Sequence, residues 1–397
     1  MTDFASGIDR SLIGEVLGEI VEDLRSGRGG APQRIGLMSV GSEHVRGDDS
    51  GQGELLLGAL EAMRQDRSIE VVMIGPKKIG SAGLRWIETP DCESDVSHAL
   101  EDALDGGAVS GAVAMHYPFP LGTATIGRVV TPLRGREMLI ASSTGGMSSD
   151  RVEAMVRNAI CGIAVAKSIG IQEPQVGILN VDGASSVNRI LRSLSDRGYA
   201  INFGESVRRD GGSLLRGNDL LAGAVDVCVT DTLTGNVLMK LFSSWNNGGS
   251  YETTGYGYGP STGQGWSKVV SIISRASGAP VIAGALRYTA DVVRGRLAEK
   301  VASEFESAAA SGLGEILSSS RAAASSAGPS EVVPPPAEPT EAEIHGVDVL
   351  EIEAAASALW EKGVYAEASM GCTGPVVKVP GRSHDAAVEI LKSAGYL

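Results

Sequence analysis

Cysteine is scarce in this chain. Only 4 occur in 397 residues, at Cys92, Cys161, Cys228 and Cys372. No two have the close spacing of a metal-ligand pair, and so few in a long chain do not make a disulfide framework. A reducing, cytoplasmic setting is the expectation. Basic side chains are also short in supply: 34 Lys and Arg against 48 Asp and Glu leave a net charge of −14. That balance disfavours nucleic acid and anionic membrane as partners. No apolar run approaches the length of a membrane span. The start, Met1-Thr2-Asp3-Phe4, has neither the basic nor the apolar segment of a signal peptide.

What is present reads as globular. The chain is 43% hydrophobic and 21% charged, and its 53 glycines imply many tight turns. Its length predicts two or three ordinary domains, or one large one with an appendage. Leu12, Ile13, Val16, Leu17, Ile20, Val21 and Leu24 fall on one face of a first helix, with Asp9 or Ser11 as cap. Short apolar runs follow at Arg34–Val40, Ile69–Ile74, Gly111–Met115, Glu137–Ala141, Gln175–Asn180, Val225–Val229 and Pro280–Ala283. Helical patterns lie between most of them, at Glu54–Arg64, Val96–Leu104, Arg151–Ser168, Val187–Arg197, Gly235–Trp245 and Lys268–Ala276. This alternation predicts an α/β fold, a parallel sheet covered on both faces as a three-layer α/β/α sandwich. Ligands then bind beyond the carboxyl ends of the strands.

A long helical pattern from about Thr289 to Leu317 closes a main body assigned to residues 1–317. Residues 318–340, rich in Ser, Ala and Pro, are expected to form a linker. Residues 341–397 form a small module: a helix at Val349–Trp360, an extended segment holding Cys372, and a last helix at His384–Ala394. A module this small is expected to dock on the body.

Three places carry candidate chemistry. Cys372 lies in Ser369-Met370-Gly371-Cys372-Thr373-Gly374-Pro375, where flanking glycines open the backbone to a substrate. A nucleophilic thiol beside an anion site is one reading and a buried structural thiol the other. The loop from Ser142 to Ser149, ahead of a helix opening at Asp150, offers the hydroxyls of Ser143, Thr144 and Ser148 and the amide of Gly145 to an anion. A flexible serine-rich turn is the alternative. The string Thr230-Asp231-Thr232-Leu233-Thr234-Gly235-Asn236 follows a strand and opens a helix that carries Lys240. Thr232, Thr234 and the amides of Gly235 and Asn236 would hold an anion there, with Asp231 orienting the ligand. An Asx turn with a threonine cap explains part of that cluster.

The remaining candidates are weaker. His116 directly follows a strand, as a site residue or as a satisfied structural histidine. Arg287 would meet an anionic ligand. His44 with Glu43, Asp48 and Asp49 lacks the spacing that would fix a metal. Cys161 and Cys228 read as core thiols, and Cys92 has no assigned role. Tyr251 to Trp266 reads as a long loop, a lid or a disordered segment.

Resemblances then enter. The run Pro174-Gln175-Val176-Gly177-Ile178-Leu179-Asn180, the run Asn202-Phe203-Gly204-Glu205-Ser206 and the Asp231, Gly235, Asn236, Lys240 string resemble PlsX-type phosphate acyltransferases. Thr232-Leu233 departs from that family's motif. The family implies a fold like isocitrate and isopropylmalate dehydrogenases and phosphotransacetylases. It also implies conversion of an acyl thioester to an acyl phosphate, with Asn180 beside the site.

His116-Tyr117-Pro118-Phe119-Pro120-Leu121-Gly122, Gly127-Arg128-Val129-Val130-Thr131-Pro132 and the Cys372 string resemble the alpha subunits of component C of glycine/sarcosine/betaine reductase complexes, over nearly the whole chain. That resemblance implies a ketosynthase-like beta subunit carrying an acetyl thioester, or else an acyl carrier or coenzyme A thioester. It implies Cys372 in thioester chemistry, phosphate as co-substrate and no tightly bound cofactor or metal. A homo- or hetero-oligomer is expected. Two other functions remain open: acyl transfer to a carrier or amine in a biosynthetic pathway, and a non-catalytic partner subunit.

Overall fold

The computed structural model describes residues 32–39, 50–77, 82–208, 211–247, 251–326, 334–348, 351–371 and 374–397. The first helix, the His44 group and Cys372 lie outside the described residues. The chain divides into two compact units, Met1–Leu317 and Ser318–Leu397.

The larger unit begins with β1 (Gln33–Met38), α1 (Ser50–Gln65), β2 (Ile69–Gly75), β3 (Arg85–Glu88), α2 (Glu93–Asp105) and β4 (Gly111–Ala114). Next come β5 (Thr123–Val130), β6 (Glu137–Gly146), α3 (Arg151–Ser168), β7 (Gln175–Leu179), α4 (Ala184–Asp196), β8 (Asn202–Phe203) and β9 (Leu214–Leu215). It continues through α5 (Gly217–Ala222), β10 (Val227–Val229), α6 (Thr232–Ser244), β11 (Gly259–Thr262), β12 (Val270–Ile272), α7 (Ala279–Arg294), α8 (Leu297–Ala310) and the start of α9 (Leu313–Ser326).

The strands form one sheet in the order β3-β2-β1-β4-β12-β11-β5-β6-β10-β7-β8, with β9 also on β7. Two parallel halves, β3 to β12 and β6 to β8, are joined by antiparallel β11 and β5. The alternation of side chains across each strand builds the layers. Ile35 and Leu37 of β1 face α1 and α7, while Met38 faces the side of α2. In the other half Ala141, Val227 and Val229 pack under α3 and α8, and Ile140 and Cys228 under α6. The α/β/α layering follows, but the sheet is mixed rather than wholly parallel.

Several elements differ from the pattern reading. Lys268–Ala276 is not helical: β12 occupies its centre, because a run as short as Val269-Val270-Ser271-Ile272 has no decisive period and pairs with β4. Pro280–Ala283 is not a strand but the first turn of α7, where proline suits the helix start. The long pattern to Leu317 breaks into three helices, with Arg296 and Gly312 both at positive φ between them. α9 runs on to Ser326, so the first nine residues of the expected linker are helical. The loop expected from Tyr251 to Trp266 contains β11, the strand that joins the two halves.

The smaller unit holds β13 (Ala342–His345), α10 (Ile352–Glu361), β14 (Glu367–Gly371), β15 (Gly374–Val379) and α11 (His384–Ala394). Its antiparallel sheet runs β13-β15-β14. Ile344, Leu359, Val377, Val379 and Leu391 give it a core of its own.

The junction between the halves is tight. Gly259 opens β11 at φ +84°, and a Cβ there would lie 1.8 Å from the carbonyl oxygen of Ile126. No side-chain motion relieves a clash with backbone. Gly259→Ala is therefore expected to cost about 3 kcal/mol or more. Urea unfolding checks this: the midpoint falls at unchanged slope, and a loss below about 1 kcal/mol contradicts the close approach.

Candidate active site

Three neighbouring parallel strands, β6, β10 and β7, end at one rim. Val229 of β10 pairs with Ala141 on one side and Ile178 on the other. Ser142, Thr230 and Leu179 therefore follow at one level, with Asn180 one residue beyond. Each strand leads into a helix, α3, α6 or α4, so three helix N-termini gather there. Helix N-termini present unpaired amides and the positive end of a dipole.

β6 is irregular at this rim. Ile126 pairs with Ala141 and Ala124 with Gly145, so Ser142, Ser143 and Thr144 bulge opposite the single Thr125. Bulges re-aim the chain beside sites. Ser142 is fully buried at φ +103°, a conformation costly for a residue with a side chain. The first turn of α6 holds it there. Thr232 Oγ1 lies 2.8 Å from Ser142 Oγ, and Asn236 Nδ2 donates to the carbonyl of Ser143 at 2.9 Å. Gly235 makes this possible, because a Cβ there would sit 1.8 Å from the carbonyl oxygen of Ser142.

Asp231 sets the start of α6. Its Oδ1 accepts from the amide of Thr234 at 3.1 Å and its Oδ2 from the Thr234 hydroxyl at 2.6 Å. This is an N-cap. The amide of Gly235 bonds to the carbonyl of Asp231 at 2.9 Å, inside the helix. The amides without an intrahelical acceptor are instead those of Thr232 and Leu233. Thr230, fully buried just before them, has a hydroxyl without a partner among the described residues.

The expected serine loop is strand as far as Gly146. The Ser143 hydroxyl is buried and serves the bulge, bonding Thr125 Oγ1 at 2.7 Å and the carbonyl of Tyr258. Thr144 and Gly145 lie within β6, and Gly145 pairs with Ala124. Ser148 belongs to the cap of α3: it accepts from the amide of Asp150 and donates to Glu153. Asn180 does reach the rim, its amide bonded to Leu215.

Three candidates are not brought there. Lys240 sits further down α6, its Nζ 2.7 Å from Tyr258 Oη, which in turn donates to buried Glu252 at 2.7 Å. Arg287 lies within α7 and donates to Gln65 of α1 at 2.8 Å. His116 is exposed beyond β4, in the other parallel half, four positions along the sheet from β6.

The rim also carries residues not singled out from the sequence. Arg151, in the first turn of α3, pairs with Asp182 ahead of α4 at 3.0 Å. Arg157 bridges Glu153 and Gln264. A cation in the first turn of a helix opposes its dipole, an irregularity visible in the sequence once Asp150 is read as the cap. Among the thiols, full burial pushes Cys161 and Cys228 up to about 12, so both stay protonated. Exposed Cys92 is lowered, first by the Ser94 hydroxyl and then by the amides of Asp95 and Ser94. Cys372 follows Gly371, the last residue of β14, and is not among the described residues. No group of three or more metal-ligating side chains occurs among the described residues, and no described helix is long and apolar enough to cross a membrane.

Residues 34–378 match the family model described as "Fatty acid synthesis protein". A glycine/sarcosine/betaine reductase complex component C subunit alpha from Peptoclostridium acidaminophilum is 46% identical over 387 residues, covering 97% of this chain and 98% of that one. The chain belongs to the fatty acid synthesis protein family, alongside these component C alpha subunits. A phosphate acyltransferase from Thermotoga neapolitana is 29% identical over 228 residues, covering 49% of this chain and 66% of its own. A branched-chain phosphotransacylase from Enterococcus faecalis is structurally similar at a TM-score of 0.46 and 15% identity, over 65% of this chain and 99% of that one.

Two substitutions separate cap from clamp. Asp231→Ala is expected to cost about 1 kcal/mol, the usual loss of a cap. Gly235→Ala is expected to cost about 3 kcal/mol, because it drives α6 off a backbone oxygen. Urea midpoints measure both, and a Gly235→Ala loss smaller than that of Asp231→Ala contradicts the clamp.

Proposed function

We propose that this chain transfers an acyl group from a protein-bound thioester to phosphate, releasing an acyl phosphate, as the alpha subunit of a component C assembly. The observation that carries the reading is the bulged end of β6 locked to the first turn of α6. The names of its relatives, a component C alpha subunit and phosphate acyltransferases, support the reaction class.

Phosphate binds against the amides of Thr232 and Leu233, with the Thr232 hydroxyl beside it and buried Ser142 holding that hydroxyl from behind. A phosphate oxygen attacks the carbonyl carbon of the thioester. The carbonyl electron pair moves onto oxygen, and hydrogen-bond donors at the rim stabilise this oxyanion. Collapse restores the carbonyl and breaks the carbon–sulfur bond. The proton of the phosphate hydroxyl ends on the leaving thiol. Asp231 acts by positioning, since both its oxygens are bound to Thr234.

Cys372 enters one step earlier. Its thiolate attacks the partner's thioester, takes the acyl group and releases the partner's thiol with the proton Cys372 gave up. The acyl group then sits on the chain that holds the phosphate.

The test is acetyl phosphate formation from an acetyl thioester and phosphate, trapped as the hydroxamate. Thr232→Val keeps the shape and removes the hydroxyl. It is expected to lower kcat/KM for phosphate about 30-fold. Cys372→Ala is expected to abolish turnover, while Cys92→Ala leaves it unchanged. Full activity in Thr232→Val removes phosphate from this rim, and full activity in Cys372→Ala removes the covalent step.

A further inference from the structure

One cation at the rim stands where its own helix does not favour it. Arg151 is the first residue of α3, which Asp150 caps. The positive end of the helix dipole lies there and opposes a guanidinium. Asp182 holds Arg151 at 3.0 Å, with the two side chains 55% and 85% exposed. A pair so open to water contributes little to stability. Neither the helix nor the pair accounts for an arginine at this position.

The other cations of α3 and α6 are committed. Arg157 donates to Glu153, whose side chain is only 8% exposed, so leaving it would strand a buried carboxylate. Lys167 is paired with Glu304, and Lys240 is on Tyr258. Among the described residues the Arg151 guanidinium bonds through Nη1 alone. Nε and Nη2 remain to grip two oxygens of one anion.

Topology places this guanidinium over the site. β10 lies between β6 and β7. β6 leads into α3 and β7 into α4. A bond from the first turn of α3 to Asp182, just ahead of α4, therefore crosses the end of β10, where Thr230 to Leu233 emerge. The two helix starts touch: a Cβ on Gly183 would lie 3.1 Å from the Val152 side chain. α3 and α4 cover one face of the sheet and α6 the other. Neighbouring strands whose helices part to opposite faces open a crevice at their carboxyl ends.

We propose that Arg151 is the phosphate-binding cation of this rim, its guanidinium turning from Asp182 to the incoming anion. The assignment rests on the reading that phosphate binds at the start of α6. Asp182 keeps the guanidinium over the crevice in the free protein and competes with phosphate for it. The exchange strands no buried charge, because Asp182 is left in water.

Calorimetric titration of the full chain with inorganic phosphate tests this without thioester or turnover. Arg151→Gln is expected to weaken binding about 10-fold, and Arg151→Lys about 3-fold. Asp182→Asn is expected to tighten it about 3-fold, because the competitor is gone. All three are expected to keep the parent's circular dichroism. Arg189→Gln, at an exposed arginine further along α4, is expected to leave binding unchanged. Equal affinity in Arg151→Gln and the parent overturns the proposal, as does a parent that takes up no phosphate. Weaker binding in both Arg151→Gln and Asp182→Asn marks the pair as structural and also overturns it. In the acetyl phosphate assay, Arg151→Gln is expected to raise KM for phosphate and not for the thioester. The reverse puts a phosphate group of the thioester's carrier on Arg151 and contradicts the assignment. Phosphate uptake that depends on Arg151, with no acyl phosphate formed, removes the reaction and leaves the assignment standing.

Discussion

The candidate site depends on one contact: the first turn of α6 against the bulged end of β6. Ser142 holds a backbone conformation that costs about 1 to 3 kcal/mol for a residue with a side chain. It persists because its surroundings leave it no alternative. Gly235 lets the helix touch its carbonyl, Asn236 takes the next carbonyl, and Thr232 meets its hydroxyl. Asp231 fixes where the helix begins, and so where these three residues stand. The same four residues that cap and pack α6 thereby aim two unpaired amides at the rim.

The sheet supplies the frame for this contact. β5 reaches the bulge through Thr125, whose hydroxyl bonds to Ser143, and the residue just ahead of β11 reaches it through the Tyr258 carbonyl. Those two strands are also the antiparallel join between the parallel halves. The strained segment is thus anchored where the two halves meet. Further down α6, the Lys240–Tyr258–Glu252 chain ties the helix to the segment that leads into β11.

Much of this was legible in the sequence where local signals agreed. Arg151–Ser168 and His384–Ala394 form helices with the expected bounds, since strong periodicity sets their extent. The cluster from Thr230 to Asn236 stands at a strand-to-helix turn, as its residue types indicate. Its chemistry is less legible: Gly235 and Asn236 suggest amides offered to an anion, but one gives close approach and the other a side-chain bond. β11 is not legible because Gly259-Pro260-Ser261-Thr262 has little strand propensity of its own and owes its conformation to pairing. β5, with Thr123, Thr125, Ile126, Val129 and Val130, carries strand propensity that the pattern reading does not use. The tie of Lys240 to Tyr258 joins residues 18 apart in sequence, and no local pattern signals it. The positive φ of Ser142 arises from tertiary contacts alone.

The proposed reaction needs phosphate held between the start of α6 and the bulge of β6. A crystal structure of the full chain with inorganic phosphate bound shows whether it is. Phosphate oxygens are expected within hydrogen-bond distance of the amides of Thr232 and Leu233, with the Thr232 hydroxyl turned toward them. Phosphate held elsewhere, with those amides facing only solvent, would contradict it.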